Sequence, residues 1–304
     1  MLMMFKNLFS KRSQTEEAYL SKPIETSLFK SGDIIRDRYC VKKQILACKS
    51  TGWDETYLAI DRDSTDLKQV VIKYLKLNIG RGRSTTAGIL FDREMDKLAH
   101  LSSQVDCIPR FHDRFQDRDE FYLVQEYVAG RNMAEILANV RLSELETVSF
   151  IKTILSALQS IHDRDIIYKY MRLNNIVLRS VDGKLGFLYC GDITNIIEMK
   201  PPEPSDGFIN HGFFERYKAP EVLALKPQLS SDIFAVGAIG IQCLVGCSLN
   251  ELAECPSTGE IKWRDHCQVS DRFADILNKM YEQSQRYRYN NVTEVLDALD
   301  KLYS

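Results

Sequence analysis

Apolar and polar positions along the 304-residue chain follow two regimes that change near Gly130. Before it, short β-branched and aromatic runs stand between turn formers, and they predict strands at 38–46, 55–61 and 69–75. Phe91, Met95, Leu98 and Leu101 then recur at helical spacing and predict a helix with one apolar face. Strand patterns return at 109–111 and 121–125. After Gly130 the period is helical. Ser143-Glu144-Leu145-Glu146 is a capping box opening a helix whose stripe is Phe150, Ile154, Leu158 and Ile161. Ser230-Ser231-Asp232 predicts a cap for a helix over 233–244, apolar nearly all round and so expected to be buried on every side. Val292, Val295, Leu296 and Leu299 mark a final amphipathic helix. Residues 1–31 show no period and are expected to form an extension outside the core.

Composition adds mainly exclusions. The length suffices for one large domain or two lobes, each with its own core. A net charge of −2 gives no reason to expect nucleic acid or an anionic membrane as partner. The longest apolar run, 234–249, falls short of a bilayer span and contains Gln242. The first residues, Met1 to Phe9, lack the length and the small-residue cleavage site of a signal peptide, so a cytoplasmic location is expected. None of the eight cysteines sits in a C-x-x-C pair, and Cys243 and Cys247 lie at helical spacing in an apolar stretch. Buried free thiols in a reducing compartment are therefore expected, with no zinc site.

Candidate chemistry comes from motifs in fixed order. The stretch 166–178 reads Ile-Ile-Tyr-Lys-Tyr-Met-Arg-Leu-Asn-Asn-Ile-Val-Leu. Registered on Asn175, it puts Tyr168, Lys169 and Tyr170 at the first three positions of H-R-D-x-x-x-x-N. Tyr189-Cys190-Gly191 stands where that pattern is followed by D-F-G. Val70-Val71-Ile72-Lys73 matches V-A-I-K, and Phe91-Asp92-Arg93-Glu94 nominates Glu94 as the partner of Lys73. Gln125-Glu126-Tyr127-Val128-Ala129-Gly130 fits an adenine-binding hinge, with Gln125 as gatekeeper. Lys218-Ala219-Pro220-Glu221 matches A-P-E, and Asp232 opens a D-x-F-x-x-G pattern through Gly237. From about Asp33 to its end the chain resembles the protein kinase superfamily. The segments 258–265 and 288–296 resemble cyanobacterial-type serine/threonine kinases in particular.

That resemblance implies an α+β, bilobal fold, with a β-rich lobe and hinge over 32–130 and a helical lobe over 131–304. It implies that Glu221 pairs with Arg288 and that Asp232 holds the catalytic-loop backbone. It nominates Gly52, Lys73, Glu94, Gln125, Glu126, Val128 and Asn175 as nucleotide-binding candidates. In the family the loop aspartate accepts the substrate hydroxyl's proton and the D-F-G aspartate holds magnesium. Here Tyr170 and Tyr189 occupy those places. A phenol with a pKa near 10 is a poor base at pH 7, and general-base catalysis contributes roughly 10²–10⁴-fold. One amide, Asn175, is a poor site for a hard dication.

The phosphate loop is also altered. Gly52 keeps one glycine position, Ala47 and Asp54 replace two others, and Trp53 fills the aromatic slot. Asp54 is expected to bring a carboxylate towards any bound phosphate. His162-Asp163-Arg164-Asp165 imitates H-R-D, but no Asn follows either aspartate at the required spacing. Asp192 is the better candidate for a displaced metal ligand. Between Gly191 and Ala219, a proline-rich segment carries Thr194 and Ser205 as candidate phosphate acceptors. The resulting expectation is a pseudokinase with no intact catalytic acid and no magnesium site, acting on a protein partner such as an active kinase or its substrate. Two alternatives stay open: a weak or atypical ATP-dependent kinase or nucleotide transferase using Asp163, Asp165 or Asp192, and a metal-independent ATP sensor.

Overall fold

Alternating side chains in the first part of the chain send every second residue to the same face, and the strands pair accordingly. In this computed structural model the described residues are 27–45, 53–79, 81–138, 140–169, 171–188, 191, 216–255 and 260–303. Strands β1 (Ile34–Ile35), β2 (Tyr39–Ile45), β3 (Glu55–Asp61), β4 (Gln69–Lys76), β5 (Phe111–Asp117) and β6 (Glu120–Glu126) form one antiparallel sheet in the order β1-β2-β3-β4-β6-β5. Cross-strand pairs Thr56 with Lys73 and Lys73 with Leu123 fix the register. Lys73 therefore shares a face with Thr56, Leu123 and Gln125, while Tyr57, Ile72, Tyr74, Tyr122 and Val124 point the other way.

Helix α1 (Arg81–Gln104) covers the Lys73 face. Its buried stripe is Phe91, Met95, Leu98 and Leu101, and Phe91 meets Phe121 of β6 at 5.1 Å between ring centroids. Arg114 of β5 clamps the helix from outside through Asp92 at 2.8 Å and Asp96 at 2.7 Å.

On the opposite face the described end of the N-terminal extension, residues 27–31, packs against the core through a half-buried Phe29. Phe29 packs edge-on against Tyr57 (5.4 Å) and Tyr74 (6.2 Å). Its backbone N–H donates to the Tyr57 hydroxyl, and the N–H of Leu28 donates to Glu55. Burial and the Glu55 carboxylate, to which its hydroxyl donates, push Tyr57 up to about 12.

A second set of elements has its own core. Strands β7 (Gly130–Asn132), β8 (Ile176–Arg179) and β9 (Leu185–Phe187) form a small antiparallel sheet. Helix α2 (Met133–Ile136) follows β7, capped by the side chain of Asn132. Helix α3 (Glu144–His162) opens with the Ser143 and Glu146 capping box, both of its hydrogen bonds being formed. After α4 (Pro220–Leu223) comes α5 (Leu229–Val245), buried along almost its whole length and packed on α3. At Gly240 a Cβ would lie 2.6 Å from Ile151 and 2.8 Å from Leu277, so the missing side chain is what permits the close approach. Helices α6 (Asp271–Met280) and α7 (Val292–Asp300) complete the packing.

Two boundaries differ from those expected. Helix α5 begins at Leu229, four residues before position 233, because Gln228 and not Ser230-Ser231-Asp232 caps it and Ser231 completes the capping box from inside. The strand expected at 109–111 is β5, running from Phe111 to Asp117. The described chain divides into two compact units, 27–128 with 188 and 191 in one, and 129–187 with 216–303 in the other. Among the described residues no helix is long and apolar enough to cross a membrane.

Candidate functional site

In the helical unit the loop at 166–175 is held by one buried carboxylate. Asp232, in the first turn of α5, accepts the backbone N–H groups of Tyr168 and Lys169, each at 2.7 Å, and its Oδ2 lies 2.9 Å from His162 Nε2. Lys169 has φ +65°, a conformation unfavourable for a residue with a Cβ. Such a residue persists only where its surroundings over-determine it, and the Asp232 bond to its N–H is part of that restraint. The Tyr168 ring is buried edge-on to Phe187 at 5.7 Å. Asn175 closes the short 3₁₀ turn Leu173–Asn175 and is buried. Tyr170, expected at the base position, lies outside the described residues, as do Tyr189, Asp192, Thr194, Ser205 and Gly52.

The aspartates of the H-R-D look-alike stand elsewhere. Asp163 is the C-cap of α3 and Asp165 sits in the turn after it, both exposed. Their neighbour His162 is spent on Asp232.

Glu221 and Arg288 form a buried ion pair at 2.6 Å. Arg288 also donates to the carbonyls of Ser230 and Glu282, and Ser231 Oγ donates to Glu221 at 2.6 Å. Burial works to raise the Glu221 pKa, but the hydrogen bonds from Arg288 and Ser231 overcome it and hold the carboxyl below its ordinary value.

In the sheet unit the candidates are less completely assembled. Lys73 is only 8% exposed and its side chain projects from β4 towards the layer under α1. The expected pair with Glu94 is not formed. Glu94 bonds Lys97 at 2.7 Å and lies 3.7 Å from Arg93, both on its own helix, and Lys73 has no ion pair with any described residue. Gln125 is buried on the same sheet face as Lys73, while Glu126 takes the backbone N–H of Arg110 at 3.0 Å and Val128 is half-buried. The Asp54 carboxylate accepts the backbone N–H of Lys76 at 2.8 Å, so it fastens the start of β3 to the end of β4.

Sequence reasoning missed the position of Trp53. Placed in the aromatic slot of the phosphate loop, it is instead 1% exposed and edge-on to Phe91 at 6.3 Å. Its indole N–H has no acceptor among the described residues, and an unpaired buried donor of this kind costs about 1–3 kcal/mol. The signal available in sequence was the ring's bulk beside a lost glycine at Asp54.

The chain matches the protein kinase domain family over residues 55–299. It belongs to that family. This kinase domain is 33% identical over 216 residues to serine/threonine-protein kinase B of Synechocystis sp., an alignment covering 69% of the chain and 38% of that protein. It is 29% identical over 274 residues to serine/threonine-protein kinase PknA of Nostoc sp., covering 88% of the chain and 47% of that protein. The chain thus spans about half or less of these relatives' length. In fold it is similar to the kinase domain of Mycobacterium tuberculosis PknI, with a TM-score of 0.63, 18% identity, and coverage of 90% of this chain and 99% of that one. The bilobal α+β architecture is that of a protein kinase, and serine/threonine kinases are among its homologues.

Proposed function

We propose that this kinase domain is a pseudokinase, working by binding another protein and not by transferring phosphate. The observation that carries the proposal is the tyrosine at each of two positions where the family has an acid: Tyr170 for the base and Tyr189 for the D-F-G aspartate. The retained Asp232 hold on the loop and the Glu221–Arg288 pair support an architectural role, since both stabilise the fold without touching a substrate.

The residues fit a nucleotide better than they fit its metal. Lys73, on a buried face, has no ion pair among the described residues, and its ammonium is suited to a phosphate. Among the described residues no three His, Cys, Asp or Glu side chains group as a metal site requires. A second reading is a nucleotide held without metal that sets the domain's conformation, favoured by the buried Lys73 and by Tyr189 at the D-F-G position. A partner could be an active serine/threonine kinase or its substrate.

The direct test is phosphotransfer from labelled ATP, with magnesium or manganese, to the chain itself and to general protein acceptors. No transfer is expected. Transfer that disappears in Lys73→Ala would refute the pseudokinase reading. The pair Tyr170→Asp with Tyr189→Asp should raise activity above that of the natural chain if those two acids are what the domain lacks.

A further inference from the structure

Helix α4 ends in a turn that its sequence makes costly. The N–H of Lys226 donates to the Glu221 carbonyl at 2.8 Å and the N–H of Leu225 to the Val222 carbonyl at 3.1 Å, the two bonds of a Schellman motif. That motif puts the residue after the cap in the left-handed region, where glycine is the usual choice. Here the residue is Leu225, with φ +58°. Its Cβ carries strain in that conformation, and no burial offsets it, since Leu225 is 64% exposed. Strained positions of this kind gather at sites that hold a ligand.

Leu225 does not stand alone. Leu223, on α4 itself, is 51% exposed and Tyr287 is 64% exposed. The stretches that carry them meet at the Glu221–Arg288 ion pair, and Arg288 also donates to the Ser230 carbonyl. Apolar side chains grouped in this way mark an interaction site where single ones would not. The charge around them selects the partner. Lys226 and Arg286 are exposed and have no ion pair among the described residues, and the Arg286 guanidinium lies 5.8 Å from the Tyr287 ring centroid. Neither 222–228 nor 283–291 contains an aspartate or glutamate. A nucleic acid backbone offers nothing to two leucines, whereas a polypeptide brings carboxylates and apolar side chains together.

We propose that Leu223, Leu225 and Tyr287, with Lys226 and Arg286, form a docking surface for an acidic segment of another protein. That segment presents leucine or aromatic side chains beside its carboxylates. The surface gives a place to the protein-binding half of the function proposed above and rests on that half alone. Lys226 and Arg286 attract the segment and select its sign, while the apolar contacts set how long it stays.

The test uses the whole chain and a displayed library of random peptides, without ATP. Peptides are selected on the natural chain and counter-selected on a variant carrying Leu225→Gly, Lys226→Glu and Arg286→Glu. The enriched peptides should be acidic and contain leucine or aromatic residues. Followed by fluorescence anisotropy, one of them should lose about tenfold or more in affinity with Lys226→Glu or with Leu225→Gly, and should bind more weakly as salt rises. Leu225→Gly should meanwhile melt no lower than the natural chain, because glycine adopts the left-handed conformation freely. A lower melting temperature would mean that Leu225 serves the fold, and the proposal fails. It fails equally if the enriched peptides are neutral or basic, or if none distinguishes the two chains. If the triple variant does not fold, Leu225→Gly alone serves for counter-selection. Phosphotransfer is measured apart from this. An active kinase that binds these peptides removes the pseudokinase reading and leaves the docking surface, and an inactive chain that ignores them does the reverse.

Discussion

Arg288 has a side chain with 0% exposure, and such a charge is tolerable only because Glu221, at 10%, meets it. Removing the carboxylate by Glu221→Ala should cost about 3–5 kcal/mol, since the guanidinium is left buried and uncompensated. The pair also sets a pH dependence. The Glu221 carboxyl is held below its ordinary value, so it binds a proton less readily folded than unfolded. Its contribution is complete above the unfolded pKa of about 4.3 and is lost as pH falls through the lower folded value. Melting curves between neutral and strongly acid pH should show the difference between the natural chain and Glu221→Gln shrink towards the acid end. A difference that grew with acid would reverse the sign assigned here. Residue identity in the sequence was enough to nominate Glu221 with Arg288, and Asp232 with the loop backbone. It was not enough for Lys73 and Glu94, where both residues are legible but Glu94 is taken by Lys97 and Arg93 of its own helix, a choice no motif encodes.

At the scale of elements, the long periodic segments were readable because each repeats its pattern several times. Helix α3 shows four apolar turns behind its capping box, and Ser143→Ala should therefore lower stability by about 1 kcal/mol, read as a shift in the denaturant midpoint at unchanged slope. Strands β7 and β9 have three residues each, too few for an alternation to register. The strap at 27–30 was missed for a related reason: one aromatic residue, Phe29, has no period, and its socket of Tyr57, Tyr74 and Tyr122 is assembled from three strands. Phe29→Ala should lower stability by about 1–3 kcal/mol through lost packing. It should also raise hydrogen exchange in β3, whose Glu55 and Tyr57 anchor the strap. An unchanged exchange pattern in β3 would mean that the strap rides on the sheet without supporting it.

For the molecule as a whole, the proposed function predicts binding without metal. The helical unit keeps a bonded Asp232 and the Glu221–Arg288 pair, and the sheet unit keeps a buried lysine with no ion pair among the described residues. In the proposed alignment Tyr170 and Tyr189 stand where the family has the acids that serve proton transfer and metal. Nucleotide and metal should therefore be uncoupled in this domain, which a family member with both acids would not show. Ligand at 100 times its Kd stabilises a protein by about 2.7 kcal/mol, and for a chain of this size that is several degrees of melting temperature at roughly 2–4 °C per kcal/mol. The expected result is that the shift produced by ATP is the same with magnesium as with a chelator, and that Lys73→Ala removes it. A shift that requires magnesium would place a metal site in this domain despite Tyr189, and the pseudokinase reading would give way to that of a weak enzyme.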